Sequence, residues 1–128
     1  MRIAMMIVRT LLGLIFFVFG LNGFFHFIPT PPPPPAAGQF FGALFATGYM
    51  IPLIFTCQVV GGALLLIGVA APLALIILAP VIVNIVLFHL FLAPSGMGMA
   101  IAVALLEVIL AWANRAAFAP LFGSQTAS

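Results

Sequence analysis

Leu73–Leu92, LALIILAPVIVNIVLFHLFL, is twenty residues long and carries no formal charge; Pro80, Asn84 and His89 are its only interruptions. At about 1.5 Å rise per residue, twenty apolar residues cover the roughly 30 Å hydrocarbon core of a bilayer, so the stretch reads as a membrane-spanning helix. The rest of the composition agrees. Hydrophobic residues make up 66% of the chain and charged residues 3%, with a mean hydropathy of +1.46. Three arginines and one acid cannot clothe a water-facing surface, since soluble domains carry about 25% charged residues.

Three more spans follow from the same criterion, at approximately 5–28, 50–69 and 97–117 beside 73–92. The expected fold is an all-α membrane protein, a four-transmembrane-helix bundle forming one integral domain over 1–128. The first apolar run is too long for a signal-peptide core and leads into prolines instead of a cleavage site, so it reads as a retained span. Pro29 to Pro35 holds six prolines, whose fixed φ and missing N–H groups favour a stiff, extended loop. Ala36 to Thr47 is apolar but too short to cross, which makes it a short interfacial half-helix between spans one and two. Pro72 opens the third span, Ala93–Gly96 is a tight turn, and 123–128 reads as a polar tail.

Four spans put both termini on one side, together with Arg2, Arg9 and Arg115. The positive-inside rule assigns that side to the cytoplasm and the proline loop to the outside. The arginines form no patch, which speaks against nucleic acid. Cys57 is the only cysteine, so neither an internal disulfide nor a Cys-x-x-Cys redox motif exists. Phosphate-binding glycine loops, metal-binding histidine motifs and a Ser/His/Asp set are missing as well, and no catalytic residue is assigned.

The informative residues are the polar ones inside the spans. Measured at about 1.5 Å per residue, Asn22, Asn84, Gln58 and Glu107 fall at similar depths, roughly 9 to 15 Å below the outer helix ends. Each helix thus supplies one strong polar group to one layer. Such groups are either interhelical hydrogen-bonding glue or contacts to a ligand. For the amides glue is the ordinary reading; for Glu107 the two readings stand level, because an acid at that depth costs a few kcal/mol and should face the bundle or a wet cavity. It lies on a small-residue stripe with Ala100, Ala104, Ala111 and Asn114, which aims it inward and makes proton handling available to it.

His26 lies four residues from Asn22 on the same face, and His89 sits near the outer end of the third span. Two imidazoles on different helices raise haem or metal ligation as a minor reading; hydrogen-bonded interfacial histidines are the ordinary one. No intrinsic cofactor and no metal are expected. Arg9, Gly13, Phe16, Gly20 and Gly23 form a 4-3-4-3 line on the first span, and Gln58, Gly61, Leu65 and Gly68 do so on the second. Both are stripes for close helix packing.

Taken together, Arg9-Thr-Leu-Leu-Gly13-Leu-Ile-Phe-Phe-Val-Phe-Gly20-Leu-Asn22 and Gln58-Val-Val-Gly61-Gly62-Ala-Leu-Leu-Leu66 resemble the first two helices of the DoxX family of small four-span bacterial membrane proteins. Ala46-Thr-Gly-Tyr49 and Phe88-His89-Leu-Phe-Leu-Ala-Pro94 are similar to stretches in many members. The family takes its name from a subunit of a thiosulfate:quinone oxidoreductase. The resemblance therefore implies an accessory subunit of a quinone-linked redox system in the bacterial inner membrane, working with redox protein partners. Such proteins often carry an acid before Val59-Val60-Gly61-Gly62, where this chain has Gln58; proton transfer is not carried over to that site, and Glu107 remains the available acid. A quinone would contact Asn22, His26, Gln58, Asn84, His89 and Glu107. The alternatives are a non-enzymatic scaffold recruiting redox partners, which includes a homo-oligomer, and a carrier for a small hydrophobic solute. Whether the chain is itself an enzyme stays open.

Overall fold

A computed structural model describes residues 2–29 and 32–123. The helices are α1 (Arg2–Phe25), α2 (Pro35–Ala46), α3 (Met50–Ile67), α4 (Ala71–Phe91), α5 (Met97–Ala113) and α6 (Arg115–Phe122), with a single 3-10 turn at Pro94–Gly96 before α5. Four of them, counting the 3-10 turn with α5, are long and apolar enough to cross a membrane. Thr30 and Pro31 of the proline loop and the polar tail 124–128 lie outside the described residues. Beside that gap, Pro34 has φ −56° and ψ 157°, the extended polyproline conformation, and Pro35 opens α2 as the first residue of a helix.

Several helix ends differ from the expected boundaries by one to four residues, and at the two C-terminal ends that fall furthest short an asparagine side chain engages the backbone. The first span was expected to reach residue 28, but α1 stops at Phe25. The Asn22 Oδ1 accepts a hydrogen bond from the Ile28 N–H at 2.7 Å, and His26 takes the left-handed conformation with φ 54°. The side chain thereby turns the chain off the helix axis. The fourth span was expected to run to 117, but α5 stops at Ala113. The Asn114 Nδ2 donates to the Leu110 carbonyl at 2.8 Å, closing the helix before α6 sets off again at Arg115. Asparagine competes with the backbone for such bonds and is therefore a natural terminator.

α1 does not pack most closely on its neighbour in sequence but antiparallel on α3, along a seam of small residues. A Cβ at Gly62 would stand 2.5 Å from the Phe17 nitrogen and 2.8 Å from the Gly13 carbonyl oxygen, so the two backbones approach as only glycine permits. Gly20 meets Val59 and the Cβ of Gln58, Gly23 lies under Phe55, and Arg9 reaches Gly68. Arg9, Gly13, Gly20 and Gly23 of the 4-3-4-3 line therefore face α3, and Phe16 between them is buried. Gly61, one residue from Gly62, points the other way and receives Leu78 of α4. α4 then packs on α5, and α5 closes the ring against α1.

Leu12, Leu65, Leu75 and Leu78 are fully buried at the centre, with Phe16, Ile82, Val103 and Leu110 around them. Outward-facing Ile7, Leu14, Val83, Leu90, Ile101, Leu105 and Val108 are largely uncovered. This is an inside-out pattern for water and the ordinary one for lipid, where helix association rests on close packing rather than on hiding apolar surface. The molecule is a multi-pass membrane protein. Arg2, Arg9 and Asn114 line one cleft and Arg115 follows directly, so all three arginines lie at the same end of the bundle.

Candidate functional site

α3 and α4 are joined by a three-residue turn at Gly68–Ala70 and stay in contact as far as Gly61 and Leu78. Beyond that point, toward Met50 on one helix and His89 on the other, a cleft of about 580 Å³ opens between them. Pro80 stands at its inner end, within α4. Proline there removes one helical N–H and leaves the carbonyl of Ile76 without its usual partner.

The mouth of the cleft is partly roofed by α2. Phe40 and Phe41 pack on Phe88 of α4 with ring centroids 5.7 and 5.1 Å apart, and Ala37 is fully buried. Thr47 fixes the link from α2 to α3. Its hydroxyl donates to the Leu44 carbonyl at 2.7 Å and accepts from the Met50 N–H at 3.0 Å, while Gly48 supplies a positive φ. The half-helix is thus tied down at both ends, by a proline start and a hydroxyl-capped finish.

Three polar side chains line this mostly apolar space: Gln58, Asn84 and His89. Gln58 is 8% exposed, with its Cβ pressed by Gly20 of α1, so its backbone position is fixed by the seam. Asn84 lies one turn beyond Pro80 and is exposed to the cleft. Among the described residues, side-chain hydrogen bonds engage Asn22, Thr47, His89, Asn114 and Arg115, but neither of these two amides. His89 is held differently. Its Nδ1 lies 3.0 Å from the Ala93 carbonyl oxygen, and its ring packs over Gly96. A carbonyl only accepts, so Nδ1 carries the hydrogen and the neutral ring keeps Nε2 as an acceptor.

Two amides and one acceptor nitrogen in an apolar cleft suit a guest with a small polar head and an apolar body. The amide N–H groups can donate to carbonyl oxygens; the amide oxygens and Nε2 can accept from hydroxyls on the reduced form of the same head.

The other three candidate residues do not line this cleft. Asn22 is committed to the end of α1, and His26 is exposed in its left-handed turn. Glu107 is half-buried on the inward stripe of α5, with its Oε1 buried and without a hydrogen-bond partner. Of the four groups expected in a single layer, only Gln58 and Asn84 line the same cleft. Cleft residues that the sequence reading missed are Phe40, Phe41, Cys57 and Phe88. The aromatic pair directly after the proline loop was the available signal. Among the described residues no three His, Cys, Asp or Glu side chains gather as a metal site.

The model of the DoxX family matches residues 4–90. That interval contains every residue lining the cleft, from Phe40 to His89, and leaves Glu107 outside. No curated protein and no solved structure matches the chain.

Proposed function

The chain belongs to the DoxX family, and on that premise we propose that it is an accessory membrane subunit that holds a quinone-class ligand in the cleft between α3 and α4. The observation that carries this is the pair of unengaged amides, Gln58 and Asn84, in an otherwise apolar space beneath the Phe40–Phe41–Phe88 roof. Polar groups in lipid surroundings are normally hydrogen-bonded. A quinone head supplies the missing acceptors while its tail leaves toward the acyl chains. His89 Nε2 accepts from the quinol hydroxyl when the head is reduced. Under the positive-inside rule the arginine-bearing end faces the cytoplasm, so the cleft opens in the outer half of the bacterial inner membrane.

The test is extraction of lipids from protein purified in a mild detergent, with quinones quantified by mass spectrometry. Near-stoichiometric quinone is expected with the wild-type chain, and a strong reduction with the Gln58→Leu/Asn84→Leu double variant. Equal quinone in both, or none in either, removes the proposal.

A further inference from the structure

A second cleft, of about 450 Å³, lies at the opposite end of the bundle, where α1 and α4 begin and α3 and α5 end. Leu65, Leu75 and Leu110, all buried, form its floor, Met5 and Met6 stand at its side, and Arg2 and Arg9 line it as well. Arg2 stands at the exposed rim and Arg9 is partly buried. Arg9 lies over Gly68, whose φ of 76° and missing side chain make room for the guanidinium.

The charge there is unanswered. The Arg9 Nε is fully buried and has no hydrogen-bond partner. The chain has one acidic side chain, Glu107, which does not line this cleft and whose own Oε1 is unpartnered. A guanidinium with one N–H cut off from both water and any acceptor is costly, so a cleft built around it favours an anion from elsewhere. The start of α4 adds to the pull. Ala70, Ala71 and Pro72 line the same cleft, and this 21-residue helix has no side-chain cap on its first N–H groups. Uncapped N–H groups and the positive end of the helix dipole both favour negative charge.

We propose that this cleft binds a phosphate group, carried by an anionic phospholipid whose acyl chains lie along the exposed apolar side of α1 beside Met6. Arg9 and Arg2 hold the phosphate oxygens by charge-assisted hydrogen bonds, and the first turn of α4 completes the cradle. Free inorganic phosphate shares the chemistry but makes no use of the apolar surface beside Met6.

The full-length protein in neutral detergent is unfolded thermally with phosphatidylglycerol, with phosphatidylcholine, or with inorganic phosphate added. The variants are Arg9→Gln, Arg2→Gln and Arg115→Gln. The last makes the same charge change outside the cleft, because Arg115 stacks on Trp112 at 4.5 Å and donates to the Trp112 carbonyl. Phosphatidylglycerol is expected to raise Tm by about 5 °C for the wild type and Arg115→Gln, with at least half of the rise lost in Arg9→Gln and Arg2→Gln. Phosphatidylcholine should leave all four unchanged. Stabilisation by millimolar phosphate that the lipid does not exceed overturns the lipid as occupant. Equal loss in all three variants, or no loss in any, overturns the site. Should Arg9→Gln not fold, the exposed Arg2 compared with Arg115 still decides between these results.

Discussion

The two faces of α3 are built on opposite principles. Toward α1 it presents Gly62 and the backbone around Val59, and the helices touch almost atom to atom. Toward α4 the contact holds only as far as Gly61 and Leu78, and beyond it the helices part around Gln58 and Asn84. One face is a fixed wall with no room for a side chain; the other keeps a space. The wall is what makes the space usable, because Gly20 presses on the Cβ of the same Gln58 whose amide serves the cleft. A ligand site in lipid needs such a rigid side, since small helix shifts would otherwise close it.

This contrast can be broken most forcefully at Gly62. Gly62→Val should destabilise the bundle by about 3 kcal/mol or more, because the added atoms meet backbone that cannot rotate aside. Gly61→Ala, whose nearest neighbour is the Leu78 side chain, should cost about 1 kcal/mol. Thermal unfolding in one detergent compares the two; equal Tm values would mean that the α1 face is no tighter than the α4 face.

On the cleft side the expected effects fall on binding. Gln58→Leu should weaken quinone binding about tenfold, the loss of one well-placed hydrogen bond, while Tm stays within a few degrees of the wild type. Phe88→Ala removes the ring on which Phe40 and Phe41 rest, a loss of about 1 kcal/mol of aromatic contact. Faster amide hydrogen exchange over 35–46, with 50–67 unchanged, is the expected outcome; uniform protection would show that α2 is held by other means. Asn84→Leu should weaken quinone binding by about threefold, less than Gln58→Leu because the exposed amide can find another partner when the guest is absent and so gains less from it. Glu107→Gln should leave quinone affinity unchanged. A loss there comparable to that of Gln58→Leu would reunite the acid with the cleft.

Much of the fold was legible in the residues because lipid permits few solutions: Leu73–Leu92 can hardly be anything but a span, and Pro35 with Thr47 brackets α2. The glycine line Gly13–Gly20–Gly23 also announced a close neighbour. What could not be read was which neighbour, since helix spacing along the chain does not say that α1 turns its glycines to α3. The site suffered from the same gap. Rise per residue gives the depth of Asn22 and Glu107, but direction around the helix acquires meaning only once the pairing is known. Asn22 held a further ambiguity, because an asparagine three residues from a helix end serves equally as a polar contact or as a terminator. Here the Ile28 N–H claims it.

The cleft carries its own reporter, because Cys57 is the chain's only cysteine, is half-buried and lines that space. Alkylation by a lipophilic maleimide, followed by intact mass spectrometry with and without a fully substituted quinone, tests the central claim most directly. Quinone should slow labelling about tenfold in the wild-type chain, the size expected for about 90% occupancy, and little in Gln58→Leu/Asn84→Leu. Labelling that quinone leaves untouched, or slows equally in both proteins, would contradict a quinone site between α3 and α4.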